Sequence, residues 1–185
     1  MVNFPHMTYY GGNELGAAFR TVRKNTIRIA EEIPEDQYNF RPAEGSRTVA
    51  ETLAHIAHAA RFQQEITLKG RNNLDGFDFL QFMRGVMAEA SKPRTKAELL
   101  ELLEAEGEKF AAQLEGVSEE FLSQVVTFPP GGNPSSRSRF DMLMSVKEHE
   151  MHHRGQLMVI QRILGQTPHL TRENEARRAA MLAQK

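Results

Sequence analysis

Between Ser138 and Pro168 the chain carries a sustained helical pattern, and no other stretch limits the fold as strongly. Ser138 and Asp141 offer an N-terminal cap, while Gly165 and Pro168 mark the exit. The predicted helix therefore spans Arg139 to Leu164, with Met142, Val146, Leu157, Ile160 and Leu164 as its apolar stripe. It also carries Glu148-His149-Glu150-Met151-His152-His153-Arg154-Gly155-Gln156. Residues four apart stack on one helical face, so His149 and His153 can grip a single ion; His152 is turned away from His153 by roughly 100°.

A helix of this kind needs partners for its stripe, and the rest of the chain supplies three. The first predicted helix has Asn13 as N-cap, carries Leu15, Phe19, Val22, Ile29 and Ile33, and is stopped by Pro34. Its charged residues, Arg20, Arg23, Lys24, Arg28, Glu31 and Glu32, read as a solvated face. The second starts at Thr48, with Glu51 at the capping-box spacing, and runs to Gly70. Thr52, Ile56, Ala59, Gln63 and Ile66 form its stripe, which places His55 at the edge and His58 further outside. The third starts at Thr95 with Glu98, continues through Leu99, Leu102, Leu103, Phe110 and Leu114, and ends near Gly116.

The connecting segments are less periodic. Phe77, Phe79, Leu80, Phe82, Met83, Val86 and Met87 predict a short helix with a packing loop, read first as core filler and second as pocket lining. Residues 128–136 hold three prolines and two glycines, which excludes helix there, and the 127–138 stretch reads as a loop. The tail from Thr171 to Lys185 is charged and reads as a loosely docked helix. With few strand signals and no βαβ rhythm, the expected class is all-α: an antiparallel four-helix bundle with a long crossover region and additional short helices. A single domain over 1–185, with its core at about 13–165, is the expected organisation.

The chemistry is bounded by what is missing. The sequence has no cysteine, so a protein-borne thiol and thiolate metal sites are excluded, leaving histidine and carboxylate. A net charge of -1 and no dense basic tract argue against nucleic acid and anionic membrane surfaces as partners. Residues 1–12, with Phe4, Pro5, His6 and the Tyr9-Tyr10 pair, do not read as a signal peptide, and no apolar run approaches a membrane span. The expected location is the cytoplasm.

If the second and fourth bundle helices face each other, His55 approaches His149 and His153 and completes a three-histidine site. Three neutral imidazoles suit divalent Zn, Ni or Fe, and leave positions open, which favours catalysis over a closed structural site. Two segments carry a family resemblance. Arg41-Pro42 followed by Arg47-Thr48-Val49-Ala50-Glu51-Thr52-Leu53-Ala54-His55-Ile56, and then His149-Glu150-Met151-His152-His153-Arg154-Gly155-Gln156-Leu157, resemble the signature blocks of the DinB/YfiT-like family. That resemblance implies a bundle that is often a homodimer, with a divalent metal on His55, His149 and His153. It also implies kinship with thiol-dependent transferases and a thiol-dependent isomerase, in which the metal activates a low-molecular-weight thiol.

The expected function is a metal-dependent transferase or hydrolase that activates a small thiol or water for a small-molecule substrate. Glu150 and His152 are the candidates for proton transfer or for orienting a ligand. Two other readings compete. His149-Glu150-x-x-His153 also matches the zinc-peptidase pattern, with Glu150 as general base and Asn174-Glu175 supplying a third ligand. A non-enzymatic, stress-associated bundle with bound metal is the other.

Overall fold

Helix α1 (Gly12–Glu32) opens one residue before the predicted cap, and Gly11 rather than Asn13 caps it, its N–H donating to the Glu14 carboxylate at 2.9 Å. The early start is tied to packing: a Cβ on Gly12 would lie 2.5 Å from the Leu114 carbonyl oxygen, so only glycine lets the two backbones meet there. The computed structural model describes residues 10–184; the reading of Phe4, Pro5, His6 and Tyr9 lies outside them. A single 3₁₀ turn, Glu35–Gln37, leads away from α1.

The second predicted helix is split. α2 (Val49–His58) has the Thr48/Glu51 capping box in full, but at Ala59 the chain tightens, its N–H bonding the Ile56 carbonyl. α3 (Arg61–Glu65) then continues, and Gly70 ends the segment at φ 77°. Nothing in the Ala59-Ala60 sequence marks that break. α4 (Phe79–Ala90) belongs to the crossover, and α5 (Lys96–Glu115) opens on the Thr95/Glu98 box. After a short α6 (Glu119–Ser123), β1 (Val125–Thr127) and β2 (Ser136–Ser138) form an antiparallel hairpin in which Val126 opposes Arg137. The 127–138 loop is thus the hairpin's turn with its flanking strand residues. α7 (Arg139–Ile163) is capped by the Ser138 hydroxyl, which accepts from the Asp141 N–H. α8 (His169–Ala183) follows, largely exposed, tied back by Arg28–Glu173 and Arg172–Glu32 ion pairs.

α1, α2, α5 and α7 form the four-helix bundle. α1 and α2 each make their main bundle contacts with α5 and α7, so helices consecutive in the bundle sequence, α1 and α2, stand diagonally across it. Two pairs are antiparallel. Arg20 meets Glu115 and Lys96 meets the Ile33 carbonyl between α1 and α5, while α2 and α7 place Thr52 and Gln156 on one cavity wall and Ala59 and Val146 on another. α1 and α7 run the same way, since Arg23 pairs with Glu150 and Glu32 with Gln161. The chain therefore goes up, down, down, up.

One apolar cluster gathers Ile29, Ile33, Leu53, Ile56, Leu103 and Leu157, and a second gathers Leu15, Phe19, Phe110, Leu114, Leu143 and Val146. Between them lies a charge. Arg23, assigned above to a solvated face, is only 4 % exposed. Its guanidinium donates to the Glu150 carboxylate at 2.9–3.1 Å, to the Leu103 carbonyl at 2.6 Å and to the Ile56 carbonyl at 3.4 Å. One side chain thus bonds to all three other bundle helices. α5 leaves room for it, because a Cβ on Gly107 would sit 2.7 Å from Arg23 Cγ. No helix among the described residues is long and apolar enough to cross a membrane.

Candidate metal centre

His55 stands on α2, and His149 and His153 stand one turn apart on α7, which faces α2 across the bundle. Their ring nitrogens converge: His55 Nε2 lies 3.0 Å and His153 Nε2 3.2 Å from His149 Nε2, and all three fall within 4.8 Å of one another. Two nitrogens bound to one zinc-like ion at about 2.0–2.1 Å are separated by about 3 Å, so the first two spacings suit shared coordination. Three rings packed this closely repel one another unless a cation or a ring N–H lies between their lone pairs. A charged imidazolium is poorly placed to play that part. Burial first, then the charge of Arg47 and the neighbouring rings, pushes His55 down to about 3; burial and His153 push His149 down to about 4. His153 is also lowered, chiefly by burial. Neutral imidazole is the form that binds metal.

The tautomer of His153 is set by a residue that sequence reasoning missed. Its Nδ1 lies 2.7 Å from Gln156 Oε1; an amide oxygen only accepts, so Nδ1 carries the proton and Nε2 keeps its lone pair for the centre. The Gln156 amide nitrogen in turn donates to His152 Nε2 at 3.2 Å. His152 is exposed and meets the centre through that glutamine and through edge contact of its ring with that of His153, 4.9 Å between centres. The available signal was Gln156 at i+3 from His153. His149 Nδ1, by contrast, is buried with no hydrogen-bond partner among the described residues.

Glu150 does not face the centre. Its carboxylate, 1 % exposed, is engaged by Arg23 from α1, which removes it as a free base and makes it a structural anion. Glu175 is exposed on α8 and is no part of the histidine cluster. The residues of the peptidase arrangement are therefore not assembled, and the helix that spells its motif points the glutamate at α1.

Two cavities open beside the histidines. A wide cleft of about 690 Å³ is lined by Arg41, Arg47, Thr52, His55 and Gln156. A narrower, more apolar one of about 290 Å³ is lined by His55 and His149 together with α4. That helix corrects the expectation of core filler: none of its residues is fully buried, and Phe82, Met83 and Val86 form cavity wall. Because α4 lies across α2, the flank carrying His58 is covered too. His58, placed outside the stripe by periodicity, is only 2 % exposed.

The buried histidines set a pH dependence for the metal-free protein. His58 is pushed down to about 4, mainly by burial, and His55 and His149 are similarly depressed, all below the value of about 6.5 expected in an unfolded chain. The unfolded state then binds more protons than the folded one at mildly acid pH. Their stabilising contribution is complete above about pH 6.5 and declines as pH falls towards 4. Melting temperature in the presence of chelator is expected to drop steadily from pH 7 to pH 5, before most carboxylates titrate; a flat profile across that window would contradict it.

Fold and site together define a class: a helical bundle with a three-histidine metal-type centre. The DinB superfamily model matches residues 18–157, and the chain belongs to that family. It is 29 % identical over 157 residues to the uncharacterized protein YjoA of Bacillus subtilis, covering 84 % of this chain and 92 % of that one. The crystal structure of YjoA, described as a DinB-like protein, superposes with a TM-score of 0.62 at 26 % identity over 83 % of this chain and 94 % of that one. YfiT of B. subtilis, described as a probable metal-dependent hydrolase with an unusual four-helix bundle topology, gives 0.65 at 13 % identity, covering 90 % of this chain and 95 % of that one. That last likeness is one of fold.

Proposed function

We propose that the protein is a divalent-metal-dependent enzyme, a hydrolase or transferase, whose metal is held by His55, His149 and His153. The observation that carries this reading is the convergence of three neutral imidazole nitrogens beside two open cavities, with no fourth histidine, cysteine or carboxylate in the cluster among the described residues. Structural zinc sites are usually closed by four protein ligands; three leave room for a reactant. The description of YfiT as a probable metal-dependent hydrolase supports the same direction.

When bound, a divalent ion supplies acidity, making a water or a small thiol nucleophilic near neutral pH. The chain does the rest. Gln156 holds His153 in its ligating tautomer, and His152 steadies the Gln156 amide from the solvent side. Arg47, which lines both cavities, brings positive charge to the mouth of the site and suits an anionic group on a thiol or substrate. With no cysteine in the chain, a thiol nucleophile comes from a small co-substrate.

The test is turnover by metal-loaded protein in two parallel panels, esters and amides with water alone, and electrophiles supplied with a small thiol. Activity in one panel is expected to vanish with chelator and return with one equivalent of metal per chain. Turnover indifferent to chelation, or a protein that takes up no stoichiometric metal, would end this reading.

A further inference from the structure

The narrower cavity beside the histidines contains a polar group that the metal centre does not use. His58 lines it, one helical turn after His55, and both ring nitrogens of His58 are buried without a hydrogen-bond partner among the described residues. A neutral imidazole has one donor and one acceptor, and leaving either unmet in a dry interior costs about 1–3 kcal/mol. Natural proteins rarely carry such a group without a use for it.

Two other polar side chains on this wall, outside the ligand set, each have one partner already. Gln63 Oε1 accepts from the Thr67 hydroxyl at 2.6 Å, and the Ser145 hydroxyl donates to the Met142 carbonyl at 2.6 Å. Arg47 is exposed and stands at the edge shared with the wide cleft. The remaining wall is Ala59, Phe62, Phe82, Met83, Val86 and neighbouring apolar surface, with Phe62 and Phe82 in edge contact at 6.0 Å between ring centres. No carboxylate lines this cavity.

We propose that this cavity is the substrate pocket of the histidine centre, that it takes a compact aromatic or branched aliphatic group bearing one hydroxyl or carbonyl oxygen, and that His58 binds that oxygen. This rests on the metal-enzyme reading for the word substrate; the ligand chemistry rests on the cavity alone. The size fits one substituted ring, since a dry cavity of about 150 Å³ already admits benzene. The wall offers a cation no carboxylate and an anion no charged partner besides Arg47. One oxygen satisfies His58, as donor or acceptor according to tautomer. His55 and His149 border the same space, so a group seated there lies alongside the metal ligands.

The probes are 4-methylphenol and toluene, equal in shape apart from the hydroxyl, titrated into metal-loaded and chelator-treated protein and followed by NMR, with metal content measured for each sample. Wild-type protein is expected to bind 4-methylphenol at least tenfold more tightly than toluene with or without metal. His58→Leu, which keeps the bulk and removes the polarity, is expected to erase that ratio and leave metal content unchanged. Val86→Trp, on the half-buried wall of α4, is expected to weaken both ligands more than tenfold, and serves if His58→Leu does not fold. A ratio that survives His58→Leu, or binding indifferent to Val86→Trp, overturns the pocket. Protein that fails to load metal but keeps a ratio dependent on His58 supports the pocket and sinks only the metal-enzyme reading. Metal loading without discrimination between the probes sinks only the pocket.

Discussion

Replacing His149 with alanine is expected to lower divalent-metal affinity by more than 100-fold. His149 Nε2 lies within 3.2 Å of the ring nitrogens of both other histidines, so its loss removes the donor that the remaining two share as a neighbour. Loss of a partner that merely orients a ligand costs about 10–100-fold, and loss of a ligand itself must exceed that. The effect has a second readout. A ligand that binds only folded protein stabilises it by about 2.7 kcal/mol at one hundred times its dissociation constant, so metal is expected to raise the melting temperature of wild-type protein and not of His149→Ala. His152→Ala and Glu175→Ala serve as controls and keep stoichiometric metal, because neither belongs to the histidine cluster. Metal analysis after gel filtration decides it: wild-type stoichiometry in His149→Ala would remove the site.

The largest loss of stability is expected from Glu150→Ala. It leaves the Arg23 guanidinium buried at the meeting of four helices with two carbonyl oxygens and the face of the Phe19 ring, 5.2 Å away, but no counter-charge. Removing one partner of a buried pair costs about 3–5 kcal/mol. For a chain of this length that corresponds to a fall of about 10 °C in melting temperature. Metal stoichiometry is expected to survive, since Glu150 faces α1 and not the histidines. The double variant Arg23→Met/Glu150→Leu removes both charges together and is expected to recover most of the loss, because well-packed apolar residues can replace a buried pair at little cost. Thermal melts of wild type and the two variants give the comparison; a single variant that melts within 2 °C of wild type, by the same conversion less than about 1 kcal/mol, would show the pair to be energetically idle.

The histidine cluster was legible because helical spacing acts locally: four residues separate His149 from His153, and the apolar stripes of two long helices bring His55 round to them. What was missed depends on partners distant in sequence. Arg23 follows Phe19 by four residues and precedes Thr26 and Ala30 on the same buried stripe, and Glu150 stands between Val146 and His153 on another. Read alone, Arg23 passed for part of a solvated face and Glu150 for a proton-transfer candidate. Two opposite charges, each set into an apolar stripe, were the signal for a buried pair. His58 was lost differently: a helical wheel describes one helix, and the flank it calls outer is covered here by α4, whose position no local pattern encodes. The up, down, down, up course of the chain was equally hidden, since stripes show that helices pack without showing which neighbours they choose.

The diagonal placement of α1 and α2 also bears on how the chain comes together during synthesis. Helices joined by a short link usually cover each other at once, as a hairpin. The first two here are joined by the long connection between Glu32 and Val49, and their main bundle partners, α5 and α7, are made later. α5 shelters one side of each when residue 115 has emerged, and the other side waits for α7, which ends at Ile163. The nascent bundle is therefore half open until the segment bearing His149 and His153 arrives, and the step that closes its apolar interior is the same step that brings the two halves of the histidine cluster together.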